Sequence, residues 1–369
     1  MKKTIIIAAG GTGGHFFPAE ALALALQQRG YHLVLMTDSR AGHRSSGPFA
    51  DQPQYVLRGR GVAGKTPWTK LRNLYELFQG VQEARRLLRQ LRPAAIICFG
   101  GYPSIPPAIG NLNIFGRSRA KLILHEGNAL LGKANRFLAR RASVIATSFP
   151  KLEGRMPPRP IIYTGMPVRP EIEALYTRHY TDARAHINLL VWGGSLGAQV
   201  FSEIVPDALS RLPQEVRHRL HVTQQTKEGD ISKVREVYET AGIECTLAPF
   251  FEDVAGLLGR SHLVIGRAGG SSVAELTMAG CPAILIPLPI AASDEQSANA
   301  RKLEEGGAGW CINQSDLTAA HLCEKVEALL TNTDQLAEAS SAAHRLAMPA
   351  SAERLAEVVA SQIGDASPH

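Results

Sequence analysis

The chain has 369 residues, more than one ordinary hydrophobic core accommodates, so two domains are expected. It is 45% hydrophobic and 20% charged, which excludes a disordered or fibrous chain. Its net charge of +7 conceals a split: Met1–Thr164 carries 24 Lys and Arg against 7 Asp and Glu, while Gly165–His369 carries 16 against 26.

Five cysteines, Cys98, Cys245, Cys281, Cys311 and Cys323, are scattered without metal-type or CxxC spacing, as suits a reducing compartment. The start "MKKTIIIAAGG" imitates a signal peptide, but its apolar run stops at Ala9 and reads better as a buried strand. The longest uncharged stretch, Pro93–Gly116, is broken by Gly, Pro and Asn, so no transmembrane helix is expected.

In chain order, "TIIIAA" is a strand, and "PAEALALALQQRG" a helix with Pro18 in its first turn and Gly30 at its end. "YHLVLMT", "AAIICFGG", "AKLILHEG" and "SVIATS" continue as strands. The pattern breaks at Tyr163–Ile172 and then restarts: "LLVWGGSLGAQ" repeats the plan of "IIIAAGGTGGH", an apolar strand, a glycine turn and a helix. "RLHVTQQ", "IECTLAPF", "SHLVIGR" and "PAILIPL" are further strands. Strands alternating with helices predict an α/β protein with doubly wound parallel sheets.

A glycine turn between a strand and a helix lets backbone approach an anion, and the helix N-terminus offers N–H groups and positive potential. The first turn is an imperfect dinucleotide fingerprint, because Phe16 stands where the third glycine belongs, although Asp38 occupies a place suited to a ribose-binding acid. No Gly-Lys-Ser/Thr follows, so it is not a P-loop either. His15 either packs structurally or takes a proton from a bound hydroxyl.

In "GRAGGSSVAEL" the backbone from Gly269 to Ser272 suits a diphosphate, Glu275 suits ribose hydroxyls, and Arg267 either neutralises phosphate or makes a surface ion pair. Gln296 and Asn299 are candidate sugar partners or ordinary polar helix residues. The segment Lys65–Pro93 holds seven basic residues against two acids. Leu71, Leu74, Phe78, Val81, Leu88 and Leu91 recur there at helical spacing. That stripe either packs on the sheet or, through Trp68, Leu71 and Leu77, meets an anionic lipid surface.

The ordered motifs "GGTGGHFFPA", "GGYPS", "HEGNALLGKAN", "GMPVR", "GGSLGA", "GRAGGSSVAEL" and "DEQSANA" resemble those of the MurG-type glycosyltransferases over nearly the whole chain. The resemblance implies a GT-B fold: residues 1–164 as an acceptor- and membrane-facing Rossmann-like domain, 165–345 as a UDP-GlcNAc-binding one, and 346–369 as a helix returning to the first. It implies inverting transfer of GlcNAc from UDP-GlcNAc to lipid I, with His15 as general base and Glu126 as a runner-up or positioning group. Donor contacts are implied at Thr12, Gly13, Gly14, Asn128, Arg169, Ser195, Phe251, Arg267, Gly270, Ser271, Ser272, Glu275 and Gln296. Acceptor diphosphate is expected at Gly100, Gly101, Tyr102 and Ser104.

No Asp-x-Asp motif is evident, so neither a metal nor a cofactor is expected. Expected partners are the two substrates, an anionic lipid surface and other cell-wall synthesis and division proteins, not nucleic acid. The expected location is peripheral, on the cytoplasmic face of the bacterial inner membrane. Met166, Leu196 and Glu295 depart from the family's usual Asn, Gln and His. Three alternatives remain at this point: a GT-B enzyme with another acceptor, a nucleotide-dependent oxidoreductase, and a non-catalytic scaffold that keeps a sugar-nucleotide pocket.

Overall fold

A computed structural model describes residues 2–11, 13–58, 67–112, 120–181, 183–193, 199–289 and 294–365. The chain divides into two compact units, one of residues 1–169 with 350–369 and one of residues 170–349.

The first unit runs β1 (Thr4–Ala8), α1 (Gly13–Gln28), β2 (His32–Thr37), β3 (Gln54–Val56), α2 (Pro67–Leu91), β4 (Ala95–Cys98), α3 (Ile105–Gly110), β5 (Lys121–Glu126), α4 (Lys133–Leu138), β6 (Val144–Thr147) and β7 (Ile161–Tyr163). Its parallel sheet has the order β3-β2-β1-β4-β5-β6-β7, so the winding reverses between β1 and β4. Residues on β1 alternate between two cores. Ile5 and Ile7 join Leu22 and Leu26 of α1, while Ile6 and Ala8 face Leu88 of α2. Burial on both faces explains why these strands read as continuous apolar runs.

The second unit runs α5 (Pro170–Glu173), β8 (Ile187–Trp192), α6 (Gln199–Ser210), α7 (Gln214–Arg217), β9 (Leu220–Gln225), α8 (Ile231–Thr240), β10 (Glu244–Ala248), α9 (Val254–Arg260), β11 (Leu263–Gly266), α10 (Gly270–Met278), β12 (Ala283–Leu285), α11 (Glu295–Glu305), β13 (Gly309–Cys311), α12 (Ala319–Thr331) and α13 (Thr333–Leu346). Its parallel sheet has the order β10-β9-β8-β11-β12-β13 and reverses between β8 and β11. The last helix, α14 (Ser351–Gln362), belongs to the first unit and packs on α1.

Two sequence expectations change. Helix α1 begins at Gly13, so Pro18 lies inside it, and the N–H that proline lacks is the one Gly14 O would accept four residues back. The glycine turn is therefore itself the start of the helix. The amphipathic stripe of α2 also splits along its length. Ala84 and Leu88 are buried at one end, while Trp68, Leu71, Leu74, Tyr75 and Phe78 stand exposed at the other, Trp68 by 78%. Leu77 is only partly exposed, so Tyr75 and Phe78 take the place expected for it. Among the described residues no helix is long and apolar enough to cross a membrane.

Candidate active site

In open α/β sheets ligands gather at the carboxyl ends of the strands where the winding reverses. In the first unit that point lies between the ends of β1 and β4. Gly100 and Gly101 follow β4 with φ of 91° and 68°, left-handed backbone that glycine adopts without strain. The bend brings both glycines against the His15 ring: a Cβ at Gly100 would lie 3.5 Å from His15 Cε1, and one at Gly101 3.7 Å from Cδ2.

His15 keeps part of its surface exposed and hydrogen-bonds the Phe99 carbonyl. Burial holds its pKa below the usual histidine value; the bond to Phe99 opposes this and the charge of Arg40 adds to it. The ring is therefore neutral at pH 7. With one nitrogen donating to Phe99, the other is left as an acceptor. Buried His125 packs on Phe99 with ring centroids 5.1 Å apart and bonds Gly165 O through Nε2 at 3.2 Å. Burial lowers its pKa to about 4, the bond to Gly165 opposes the fall, and His15 adds to it.

Several polar residues of these motifs turn inward. Glu126 is 2% exposed and accepts four N–H groups: Asn128 N at 3.0 Å, Asn128 Nδ2 at 3.1 Å, Gly132 N at 2.8 Å and Asn135 Nδ2 at 2.9 Å. It organises the loop between β5 and α4. Asn128 is thereby tied to Glu126. Ser104, expected at the acceptor, is wholly buried, because its hydroxyl both accepts from Gly100 N (3.0 Å) and donates to Gly100 O (2.8 Å). It staples the loop and cannot reach a ligand. Tyr102 opens the short turn that follows.

Asp38 does not stand open to a ribose. Its carboxylate accepts from Gly11 N (3.1 Å), Ala41 N (3.2 Å) and Arg40 Nε (2.9 Å), which removes the feature favouring an oxidoreductase. Gly13 and Gly14 form the first turn of α1, with the Phe17 ring against Gly13. Arg169 stacks over that same ring, 4.8 Å from its centroid. Met166, one of the departures, packs its methyl against Gly127. Thr12, Ser195 and Leu196 lie outside the described residues.

In the second unit a recess lies at the reversal between β8 and β11. Arg267, Ser272 and Glu275 line it together with Trp192, Leu258 and Gly266. Helix α10 begins there behind Gly269, which has no side chain to cap it. Side-chain oxygens of Asp253 and Thr318 cap α9 and α12, whereas α8, α11, α13 and α14, like α10, carry no side-chain cap. The first-turn N–H groups of α10, those of Gly270, Ser271 and Ser272, are thus left for an anion.

Arg267 is fixed beside them by the carbonyls of Ile286 (3.0 Å) and Pro287 (3.3 Å) and by the Phe201 ring 5.0 Å below its guanidinium. Burial lowers its pKa, yet arginine stays cationic at neutral pH. Gln296 Oε1 accepts from Ala268 N (3.3 Å) and Leu288 N (2.9 Å), which leaves its NH₂ for a ligand. Glu295, the third departure, precedes it at the start of α11. Asn299 is fully buried and donates to Ala268 O at 2.9 Å, so it braces the loop and is not a sugar partner.

Phe251 is half-buried in the loop between β10 and α9 and does not line the recess. The sequence reading missed Trp192, Leu258 and Phe201. Trp192 was legible as the last residue of the strand before the second glycine turn. Among the described residues no group of three His, Cys, Asp or Glu is arranged to hold a metal.

The two halves of this arrangement correspond to two known domains. Residues 5–147 match the glycosyltransferase family 28 N-terminal domain and residues 188–355 its C-terminal domain. The chain belongs to glycosyltransferase family 28. It is 54% identical over 364 residues to the "UDP-N-acetylglucosamine--N-acetylmuramyl-(pentapeptide) pyrophosphoryl-undecaprenol N-acetylglucosamine transferase" of Gluconobacter oxydans (strain 621H), covering 98% of this chain and 100% of the relative.

The Caulobacter vibrioides (strain NA1000 / CB15N) protein of the same name is 43% identical over 97% of this chain and 99% of its own. Among solved structures, Acinetobacter baumannii MurG superposes with a TM-score of 0.77 at 28% identity, over 97% of this chain and 99% of that one. The calicheamicin glycosyltransferase CalG4, at 14% identity and a TM-score of 0.67 over the full length of both chains, shares the fold alone. The fold is GT-B, and the chain is a glycosyltransferase.

Proposed function

We propose that the protein moves GlcNAc from UDP-GlcNAc to the C4 hydroxyl of MurNAc in undecaprenyl-diphospho-MurNAc-pentapeptide (lipid I), giving lipid II for peptidoglycan synthesis. The observation that carries this reading is the recess at the second switch point, with its uncapped helix and fixed arginine. It occurs in a chain aligned end to end with transferases named for that donor and acceptor.

The diphosphate lies against the first turn of α10, where Gly270, Ser271, Ser272 and Arg267 meet its charge, with Ser195 alongside. Glu275 takes ribose hydroxyls, the Gln296 NH₂ takes a sugar hydroxyl, and Phe251 meets the uracil through its backbone. Thr12, Gly13, Gly14, Asn128 and Arg169 complete the donor contacts. The acceptor diphosphate is held by Gly100, Gly101 and Tyr102.

The acceptor oxygen attacks the anomeric carbon on the face opposite UDP, so the configuration inverts. Its proton passes to the free nitrogen of neutral His15, while the bond to UDP breaks with its electron pair on the β-phosphate oxygen. N–H groups and Arg267, preorganised where that charge develops, stabilise it. Glu126, its oxygens already engaged by four N–H groups, holds the loop, and the base role falls to His15.

Attachment is peripheral, at the cytoplasmic face of the inner membrane. The exposed apolar end of α2 lies on anionic lipid, and other cell-wall synthesis and division proteins are partners there. The deciding experiment is UDP release with UDP-GlcNAc, with and without a lipid I analogue, and with UDP-glucose and UDP-GalNAc as alternative donors. Release that needs both UDP-GlcNAc and the analogue is expected. Donor binding without transfer would favour a different acceptor or a scaffold.

A further inference from the structure

The apolar core of the second unit contains two polar side chains that the transfer reaction does not use. Gln224 on β9 and Tyr238 on α8 are both completely buried. They are joined head to tail: Tyr238 Oη donates to Gln224 Oε1 at 2.6 Å, and Gln224 Nε2 donates to the Phe201 carbonyl at 3.3 Å. Phe201 lies in the first turn of α6, directly after the second glycine turn. Its ring in turn lies 5.0 Å beneath the Arg267 guanidinium, whose remaining anchors are two backbone carbonyls.

Burying an amide and a phenol carries a desolvation cost that two apolar side chains of similar size would avoid. What the polar pair adds is direction. A methionine and a phenylalanine would fill the space but would not fix the Phe201 carbonyl to one point of β9.

We propose that Gln224 and Tyr238 are positioning residues for donor binding. They hold the first turn of α6 and, through the Phe201 ring, set the Arg267 side chain at the diphosphate. This rests on the donor site proposed above.

The test is UDP affinity by calorimetry, on variants whose folding is verified by circular dichroism. Gln224→Met and Phe201→Leu should each weaken UDP by about fivefold or more, and Tyr238→Phe by about twofold. In an Arg267→Ala background, Phe201→Leu should cause no further loss, because the residue it acts through is gone. A purely structural role would lower the melting temperature and leave UDP affinity unchanged.

Folded Gln224→Met with wild-type UDP affinity would overturn the proposal, as would additive losses in the Arg267→Ala background. If Gln224→Met does not fold, Tyr238→Phe decides, and unchanged UDP affinity in that variant would overturn the proposal. Failure of the unmutated protein to bind UDP would instead remove the donor reading itself.

Discussion

In the first unit the described glycines at the switch point are closely packed. A Cβ on Gly10 would lie 2.8 Å from Asp38 Oδ1 and 2.9 Å from both Pro103 Cγ and Thr37 Oγ1, and the His15 ring closes over Gly100 and Gly101. In the second unit the corresponding space is a recess, and a Cβ on Gly269 would meet nothing closer than Ser272 Oγ at 3.7 Å. The same strand-turn-helix plan is thus closely packed in one unit and more open in the other. Net charge does not foretell which is which. The unit that holds the recess and Arg267 lies in the acidic half of the chain. Local donors within a few ångströms outweigh a surface charge that salt screens within about 8–10 Å.

The largest effect that would break this contrast concerns His15. His15→Ala should lower turnover by about 10²–10⁴-fold while UDP affinity stays unchanged, because His15 is not among the proposed donor contacts. Steady-state kinetics beside calorimetry separates the two, and equal losses in both would remove the division of labour. The acid limb of kcat/KM should fall below pH 6.5, because His15 must be neutral to accept a proton and its burial lowers its pKa. Arg40 pulls the same way, so Arg40→Ala should move that limb upward.

Next in size is the buried histidine behind it. His125 has a folded pKa of about 4 against an ordinary value of 6.5. Between those values the unfolded chain binds more protons, so stability is fully present above pH 6.5 and declines as pH falls towards 4. Replacing His125 with a non-titrating donor, His125→Gln, should recover up to about 3 kcal/mol of that acid-side loss, measured by urea unfolding at pH 7 and pH 4.5.

The steric contrast between the two glycine turns is smaller. Gly10→Ala should cost about 1–3 kcal/mol of stability through overpacking. Gly269→Ala, with φ −63° and open space around the new methyl, should stay within about 1 kcal/mol. Comparable losses would mean that the turn after β11 is as tightly filled as the turn after β1. The smallest stability effect is expected on α2. A Trp68→Ser, Leu71→Ser, Phe78→Ser triple variant should change stability by no more than about 0.5 kcal/mol per site. It should nonetheless lose binding to anionic vesicles, while the unmodified protein binds them in low salt and releases them in high salt.

The sequence announces β1, β2, β4, β6 and β11, because burial on both faces leaves an apolar run. It misses β3, β7 and β13, each three residues long and each at a sheet edge, where neither length nor alternation leaves a signal. Ser104, Asn299 and Asp38 all sit in motifs that point to ligands, and all three are consumed by nearby backbone. Residue type and spacing cannot say whether such a group faces a ligand or its own loop, since both uses need the same hydrogen bonds. The exposed end of α2 is similar. Periodicity found the stripe, but only the packing of α3 decides where along it burial stops.

Helix α14 gives the first unit a history different from its address. Leu355 and Val359 share one core with Leu22 and Leu26, and Lys3 Nζ and Tyr31 Oη bind Asp365 from the other end of the chain. A ribosome makes β1 and α1 first but cannot complete the layer that covers them until some 330 further residues have emerged. The second unit, contiguous from Pro170 to Pro349, is finished sooner. The unit that contains β1 and α1 is therefore completed only after the unit that follows them in the chain.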